Sequence, residues 1–305
     1  MANLANRDFL DSAVLARLSR LCVSARIPML GSVTGIHKSA TRGSSVEFAE
    51  YRKYVPGDDI KHVDWRVYAR SDRFYMKEFE ADTNLRCYIV IDTSASMSFA
   101  GAHESKFNYA RKLAATLAYL LVHQGDAVGL LCFSDKTVHD IPPRHTPSHL
   151  KNIFDTLAET KPDGKTEIVR TIHDLAEKIS QRALVIVFSD FFTEVKPLLD
   201  CFQHMRFRKH DLAVFHMLDR QEMNFDFDRP IRFVDMESPF NMITDPQIIQ
   251  AGYQRELHHH MKNMKRGCSE FNVDYQRVFT DTDYEKILAS FLLQRMKKKP
   301  GGGKV

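Results

Sequence analysis

The hydrophobic pattern of this chain changes character near residue 86. From there, short apolar runs alternate with longer stretches whose apolar residues recur every three to four positions, as expected of parallel strands joined by crossover helices. The runs 87–92 (CYIVID), 127–133 (AVGLLCF), 183–190 (ALVIVFSD) and 211–218 (DLAVFHML) are almost unbroken apolar text. Each therefore predicts a strand covered on both faces. Between them, residues 106–125 carry Ala110, Leu113, Ala114, Leu117, Leu120 and Leu121 at helical spacing and stop at Gly125, a residue suited to a left-handed helix end. Residues 147–159, with Pro147 just inside the start, 164–180 and 194–207 predict three more helices. Residues 136–141 predict a short partner strand, and 225–238 an antiparallel hairpin insertion near 223–240. A helix over 247–271, a strand over 273–280 and a helix over 283–298 complete the pattern.

The fold class that follows is α/β: a Rossmann-like, doubly wound, mostly parallel sheet with helices on both faces. Residues 85–296 form this domain. Residues 1–84 are polar and loop-rich, form a segment packed on the core, and hold the only tryptophan, Trp65. Residues 297–305 (KKKPGGGKV) read as a flexible tail. Ligands of doubly wound sheets bind beyond the carboxyl ends of the strands, near the point where strand order reverses. Asp92 and Asp190 stand at two such ends.

Composition narrows the function classes only a little. The 305 residues are 44% hydrophobic and 27% charged, with a formal net charge of +4 and both signs interleaved. That pattern is a solvated surface and gives weak support for a nucleic-acid partner. The N-terminal stretch is interrupted by Asp8, Asp11, Arg17 and Arg20, so it does not read as a signal peptide. No segment reaches the ~18 consecutive apolar residues of a membrane span. Cys22, Cys87, Cys132, Cys201 and Cys268 are odd in number and scattered, which suits reduced thiols rather than a disulfide frame. The expected location is the cytoplasm.

The candidate chemistry begins where the first strand ends. Asp92, Ser94 and Ser96 lie at alternate positions on the loop leaving that strand, so their three side-chain oxygens can turn toward one point. Hard divalent cations want about six oxygen ligands, and magnesium keeps several of them as water. Thr166, in DGKTE before a helix, and Asp190, in VFSDFF after a strand, are the further donors. The resulting site has oxygen ligands only and at most two formal charges.

Asp92-x-Ser94-x-Ser96, with the later threonine and strand-terminal aspartate, resembles the metal-ion-dependent adhesion site of von Willebrand factor type A domains over roughly residues 85–218. The resemblance implies that the serines bind a cation directly, and that the threonine and aspartates bind directly or through water. The segment GSSVEFAEYRKYVPGDDIKHVDWRVYARSDRFYMKEFE, just ahead of IDTSASM, is similar to the bacterial domain-of-unknown-function 58 family. That resemblance implies a MoxR-type AAA+ ATPase as partner and a chaperone-like role in maturing or assembling client proteins. Several members of the family carry N-terminal membrane helices, which this sequence does not show.

Other readings fare less well. Gly164-Lys165-Thr166 looks like the end of a P-loop, but Glu159 stands where the first glycine is needed. A haloacid-dehalogenase-type phosphotransferase would need a second carboxylate where Ser94 stands. His258, His259 and His260 point about 100° apart on a helix and cannot converge on one ion, so they read as a solvated face. A metal-bound water could be made nucleophilic, and hydrolysis is the rival class. It would need a general base, for which His139, His145 and His173 are unplaced candidates.

The expected function is thus metal-dependent protein binding without catalysis. Mg2+ is the first choice of ion, with Mn2+ or Ca2+ possible, and an acidic residue of the partner completes the shell. Thr93, Met97, Lys165 and Phe191 flank the site as candidate partner contacts. Asp58, Asp59 and Trp65 are further candidates, alongside a role for the first two in an internal ion-pair cluster.

Overall fold

The computed structural model describes residues 7–25, 33–39, 46–54, 63–83, 85–227, 229 and 231–297. The chain divides into two compact units, residues 28–85 and residues 1–27 with 86–305. The expected N-terminal segment is therefore split, its first part belonging to the α/β unit.

In the smaller unit, β1 (Val33–Ser39), β2 (Val46–Lys53) and β3 (Tyr75–Thr83) form an antiparallel sheet in the order β1-β3-β2. This sheet stands where the sequence pattern read as loop. A bulge between Phe48 and Glu50 shifts the register of β2 on β3, which breaks the alternation that would mark a strand. Helix α2 (Trp65–Ser71) is started by Asp64, whose carboxylate accepts from the Arg66 and Val67 amides.

The larger unit is built on a six-stranded sheet in the order β11-β8-β7-β4-β5-β6. Its strands are β4 (Arg86–Asp92), β5 (Ala127–Phe133), β6 (Thr137–Arg144), β7 (Leu184–Ser189), β8 (Asp211–Leu218) and β11 (Asp274–Phe279). All neighbours pair in parallel except β5 with β6. Every residue of β7 and β8 is buried, as their unbroken apolar text requires. The edge strand β6 alternates between half-buried and exposed positions and holds Pro142 and Pro143, residues a sheet tolerates at its edge. From central β4 the chain moves to β5 on one side and returns to β7 on the other, so the order reverses beside β4.

Helices cover both faces. On one side α5 (Ile168–Lys178), α6 (Val195–Phe207) and α8 (Pro246–Glu270) pack Ile172, Phe202, Met205 and Met264 against Val90, Val187 and Val214. On the other lie α1 (Ser12–Leu18), α3 (Lys106–His123), α4 (Pro147–Glu159) and α9 (Tyr284–Lys297). Residues 7–25 are tied here by Val23 and Gln124, which exchange two hydrogen bonds of 2.9 Å.

At the end of the sheet opposite the strand carboxyl termini, the buried Arg295 of α9 pairs with Asp211 and, at 2.5 Å, with Asp274. All five cysteines are free, and four are buried. Among the described residues no helix is long and apolar enough to cross a membrane.

The hairpin insertion consists of β9 (Ile231–Val234) and β10 (Asn241–Thr244). It starts later than the sequence pattern places it, because Phe225 and Phe227 join an aromatic cluster instead. Phe225 stacks on Phe233 at 5.2 Å and lies tilted against Tyr253 of α8 at 4.5 Å. A short helix α7 (Arg220–Asn224) precedes it, with a reciprocal cap between Asp219 and Glu222.

Candidate metal centre

The carboxylate of Asp92 is the hub of the carboxyl-end crevice. Its Oδ1 accepts from the Ser94 amide at 2.9 Å, and its Oδ2 accepts from Ser189 Oγ at 2.7 Å and Thr166 Oγ1 at 3.0 Å. Ser94 Oγ lies 3.1 Å from Ser96 Oγ at the start of a single tight turn over Ala95–Ser98. Two backbone bonds strap the Asp163–Thr166 loop across this turn, Ala95 N to Gly164 O at 2.9 Å and Asp163 N to Thr93 O at 2.8 Å. Gly164 makes the strap possible with φ of +80°.

Asp190 completes the set from the end of β7, next to β4. The following residue, Phe191, has φ of +52°, a conformation costly for a bulky side chain. Two interactions hold it there: its amide donates to Ser189 Oγ at 3.0 Å, and its fully buried ring packs edge-on against Phe202 at 6.4 Å. Asp190 is thereby turned toward α3. Its Oδ2 accepts from Lys106 Nζ at 2.8 Å, and its Oδ1 is buried without a hydrogen-bond partner.

These donors fit a hard divalent cation. Adjacent oxygens in an octahedral magnesium shell, with bonds of about 2.1 Å, stand about 3.0 Å apart. The Ser94–Ser96 and Thr166–Asp92 spacings, 3.1 and 3.0 Å, are hydrogen-bond contacts whose lengths also suit such edges, and the unpaired Asp190 oxygen is an acceptor in want of a cation or donor. Among the described residues no group of three or more His, Cys, Asp or Glu is arranged to hold a metal ion. Hydroxyl oxygens would have to supply much of the shell, which favours hard ions over zinc or copper. Burial pushes the Asp92 carboxyl up to about 6, and the Asp190 charge adds to the rise against the bonds from Ser189 and Ser94.

The sequence pattern missed several of these groups. Ser189 is one, although its place beside Asp190 at a strand end was a signal. Lys106 is another: its side chain is fully buried and bridges Asp190 to Glu222 at 2.7 Å. Burial alone would lower its affinity for a proton, but the two carboxylates outweigh this and hold it above the ordinary lysine value. A lysine at the first residue of a helix, where the dipole favours anions, was the legible hint. The third is Glu237 from the turn of the hairpin, whose Oε2 accepts from the Thr166 amide at 3.0 Å.

Three expected partner contacts are corrected by burial. Thr93, Met97 and Phe191 are interior, with Thr93 Oγ1 spent on Phe133 O at 2.8 Å. Phe192, the residue after Phe191, is exposed instead, its ring 5.0 Å from Lys106 Nζ. Lys165 is exposed beside the site. Trp65 is 57% exposed and packs edge-on against Tyr68 and Phe74 within the smaller unit. Asp58 and Asp59 lie outside the described residues.

The histidine run does not form one solvated face. His258 and His259 are exposed, whereas His260 turns inward, its ring 6.1 Å from that of His216. His216 lies behind the Asp190 loop, bonded to Tyr275 Oη at 2.8 Å, and burial drives its pKa down to about 3. His139 lies on β6, His145 on the loop after it, and His173 on α5 beside His204 at 5.1 Å.

A family model described as "Protein of unknown function DUF58" matches residues 50–263. The chain belongs to the DUF58 family. Among curated relatives of this DUF58 chain are uncharacterized proteins of Mycobacterium tuberculosis and Mycobacterium bovis. Each is 24% identical over 297 residues, spanning 94% of this chain and 92% of the relative. Solved structures similar to it include BatB from Bacteroides thetaiotaomicron, with TM-score 0.48 and 13% identity over 70% of this chain and 100% of that one. An aerotolerance-related membrane protein from Bacteroides fragilis gives 0.47 and 18% over the same shares. The VWA domain of SpRpn10 gives 0.41 and 12% over 73% of this chain and 100% of that domain.

Proposed function

We propose that this DUF58 protein is a non-enzymatic, divalent-cation-dependent protein-binding module. Asp92, Ser94, Ser96, Thr166 and Asp190 hold the ion, Mg2+ by preference and Mn2+ or Ca2+ as substitutes. The observation that carries this reading is the grouping of oxygens where β4 ends, with Thr166 Oγ1 3.0 Å from Asp92 Oδ2, Ser94 Oγ 3.1 Å from Ser96 Oγ, and an unpaired Asp190 Oδ1. Because the hydroxyl ligands are neutral, the ion keeps Lewis acidity toward an incoming carboxylate. An aspartate or glutamate of a partner then completes the shell.

The partner class is a MoxR-type AAA+ ATPase, working with this protein in chaperone-like maturation or assembly of clients. Family resemblance is the support for that partner, and the crevice chemistry supports the mode of contact. The test is capture of a MoxR-type ATPase by the purified protein in Mg2+, in EDTA and with Asp92→Ala. Capture in Mg2+ that is lost in both other arms is the expected result. Equal capture in all three overturns the reading.

A further inference from the structure

The outward face of α8 carries positive charge that the fold does not use. Every exposed side chain between 255 and 266 is basic except Glu256. At 100° per residue Arg255, His258, His259, Lys262, Lys265 and Arg266 fall within about 120° of one another on a stripe about 17 Å long, and Glu256 lies outside it. Among the described residues Arg255, Lys262, Lys265 and Arg266 form no ion pair. Arg255 Nε and His258 Nδ1 only turn back to carbonyls of their own helix, Ala251 O and Gln254 O. Lys262 and Arg266 stand one helical turn apart, and like charges at that spacing destabilise a helix. A surface that carries such a cost without an internal counter-charge is matched to an anion from outside.

The surroundings of the stripe narrow the kind of anion. At its Arg266 end a groove of about 370 Å3 lies between α6 and α8, lined by the half-buried Val195, Leu199 and Phe271 together with Lys196, Asp200 and Arg266. Within the stripe no apolar side chain is exposed that could enter a bilayer. Nor is any Phe, Tyr or Trp exposed there for bases to stack on. A row of cations beside an apolar slot suits an amphipathic helix, whose acidic side chains meet the row while an apolar one fills the slot.

The geometry points to the outward face of α8 as a docking site for an acidic amphipathic helix of a partner protein. That helix lies along Arg255, Lys262 and Arg266 and sets one apolar side chain between α6 and α8. The site is formed without Asp92 or its neighbours, so it does not rest on the cation reading above. A solvated basic face that binds nothing is the competing account.

The probe is a labelled synthetic helix about 30 Å long, with glutamates at helical spacing around one leucine, titrated with the full chain by fluorescence anisotropy. Saturable binding that weakens as salt rises is expected. Arg255→Glu with Lys262→Glu should weaken it about tenfold or more, and a serine in place of the peptide's leucine should weaken it severalfold. The charge reversal turns the Lys262–Arg266 repulsion into an opposite-charge pair, so this variant should melt no lower than the wild type. Lys262→Gln with Arg266→Gln gives a second reading without reversal and with a smaller loss. EDTA and Asp92→Ala should leave the affinity unchanged, which separates this site from the crevice. Absence of peptide binding, or equal affinity in the wild type and both double variants, overturns the inference. So does tighter binding to an oligonucleotide or to phosphatidylserine vesicles than to the peptide, because the stripe would then serve a different partner.

Discussion

Lys106 Nζ and Asp190 Oδ2 lie 2.8 Å apart with both side chains fully buried. The pair fixes which oxygen of Asp190 is engaged and leaves Oδ1 unpaired, so the lysine positions a candidate metal ligand. It also connects the crevice to α7, because the same ammonium holds Glu222 at 2.7 Å.

Replacing Lys106 with Met would leave two carboxylates buried without a counter-charge. Removing one partner of a buried pair costs about 3–5 kcal/mol, and urea denaturation of Lys106→Met should show a loss of that order. Lys106→Met with Glu222→Leu should recover part of it, since one orphaned charge is then gone. No loss in the single variant would mean that the ammonium is not what holds Asp190.

Ser94→Ala and Ser96→Ala each remove one neutral oxygen while leaving both aspartates. Calorimetric titration with Mg2+ should show at least a tenfold weaker site for each, about 1.4 kcal/mol, and no detectable site in Asp92→Ala. Serine variants that bind Mg2+ as the wild type does would place the ion elsewhere.

His210, just ahead of β8, is buried with neither ring nitrogen hydrogen-bonded, and burial lowers its pKa from 6.5 to about 4. The fold therefore keeps it neutral while the unfolded chain takes up a proton below pH 6.5. Its contribution to stability is fully present above that pH and is lost as the pH falls toward 4. His210→Phe should flatten the fall in urea midpoint between pH 6.5 and 4. A slope identical to the wild type would show that His210 does not titrate this way.

A methyl group at Gly267 of α8 would stand 2.1 Å from Leu199 Cδ1 of α6. Such overpacking typically costs about 1–3 kcal/mol, less the ~1 kcal/mol that alanine gains over glycine in a helix. Gly267→Ala should lower thermal stability, and Gly267→Ala with Leu199→Ala should be less destabilised than the two single losses added together.

The strands of the larger unit were legible because burial on both faces demands continuous apolar text, and 211–218 was read to the residue. The closeness of Asp92, Ser94 and Ser96 was legible because they lie at alternate positions on one loop, whereas the bonds that fix that turn come from Phe133, Asp163 and Gly164, far away in sequence. The β1–β3–β2 sheet was not, since its bulge hides the alternation. The hairpin was expected over 225–238, but Asp235 and Ser238 form its turn and its second strand, Asn241–Thr244, lies beyond that span.

By itself, the sequence determined the alternation of strands and helices, the family, and the oxygen-donor character of the loop after β4. Only the tertiary structure decided which groups meet that loop. Ser189, Lys106, Glu222 and Glu237 come from four separate elements, and their convergence depends on strand order and on the turn at Phe191. Spacing along the chain carries no record of those contacts, because they are set by packing between segments far apart in sequence.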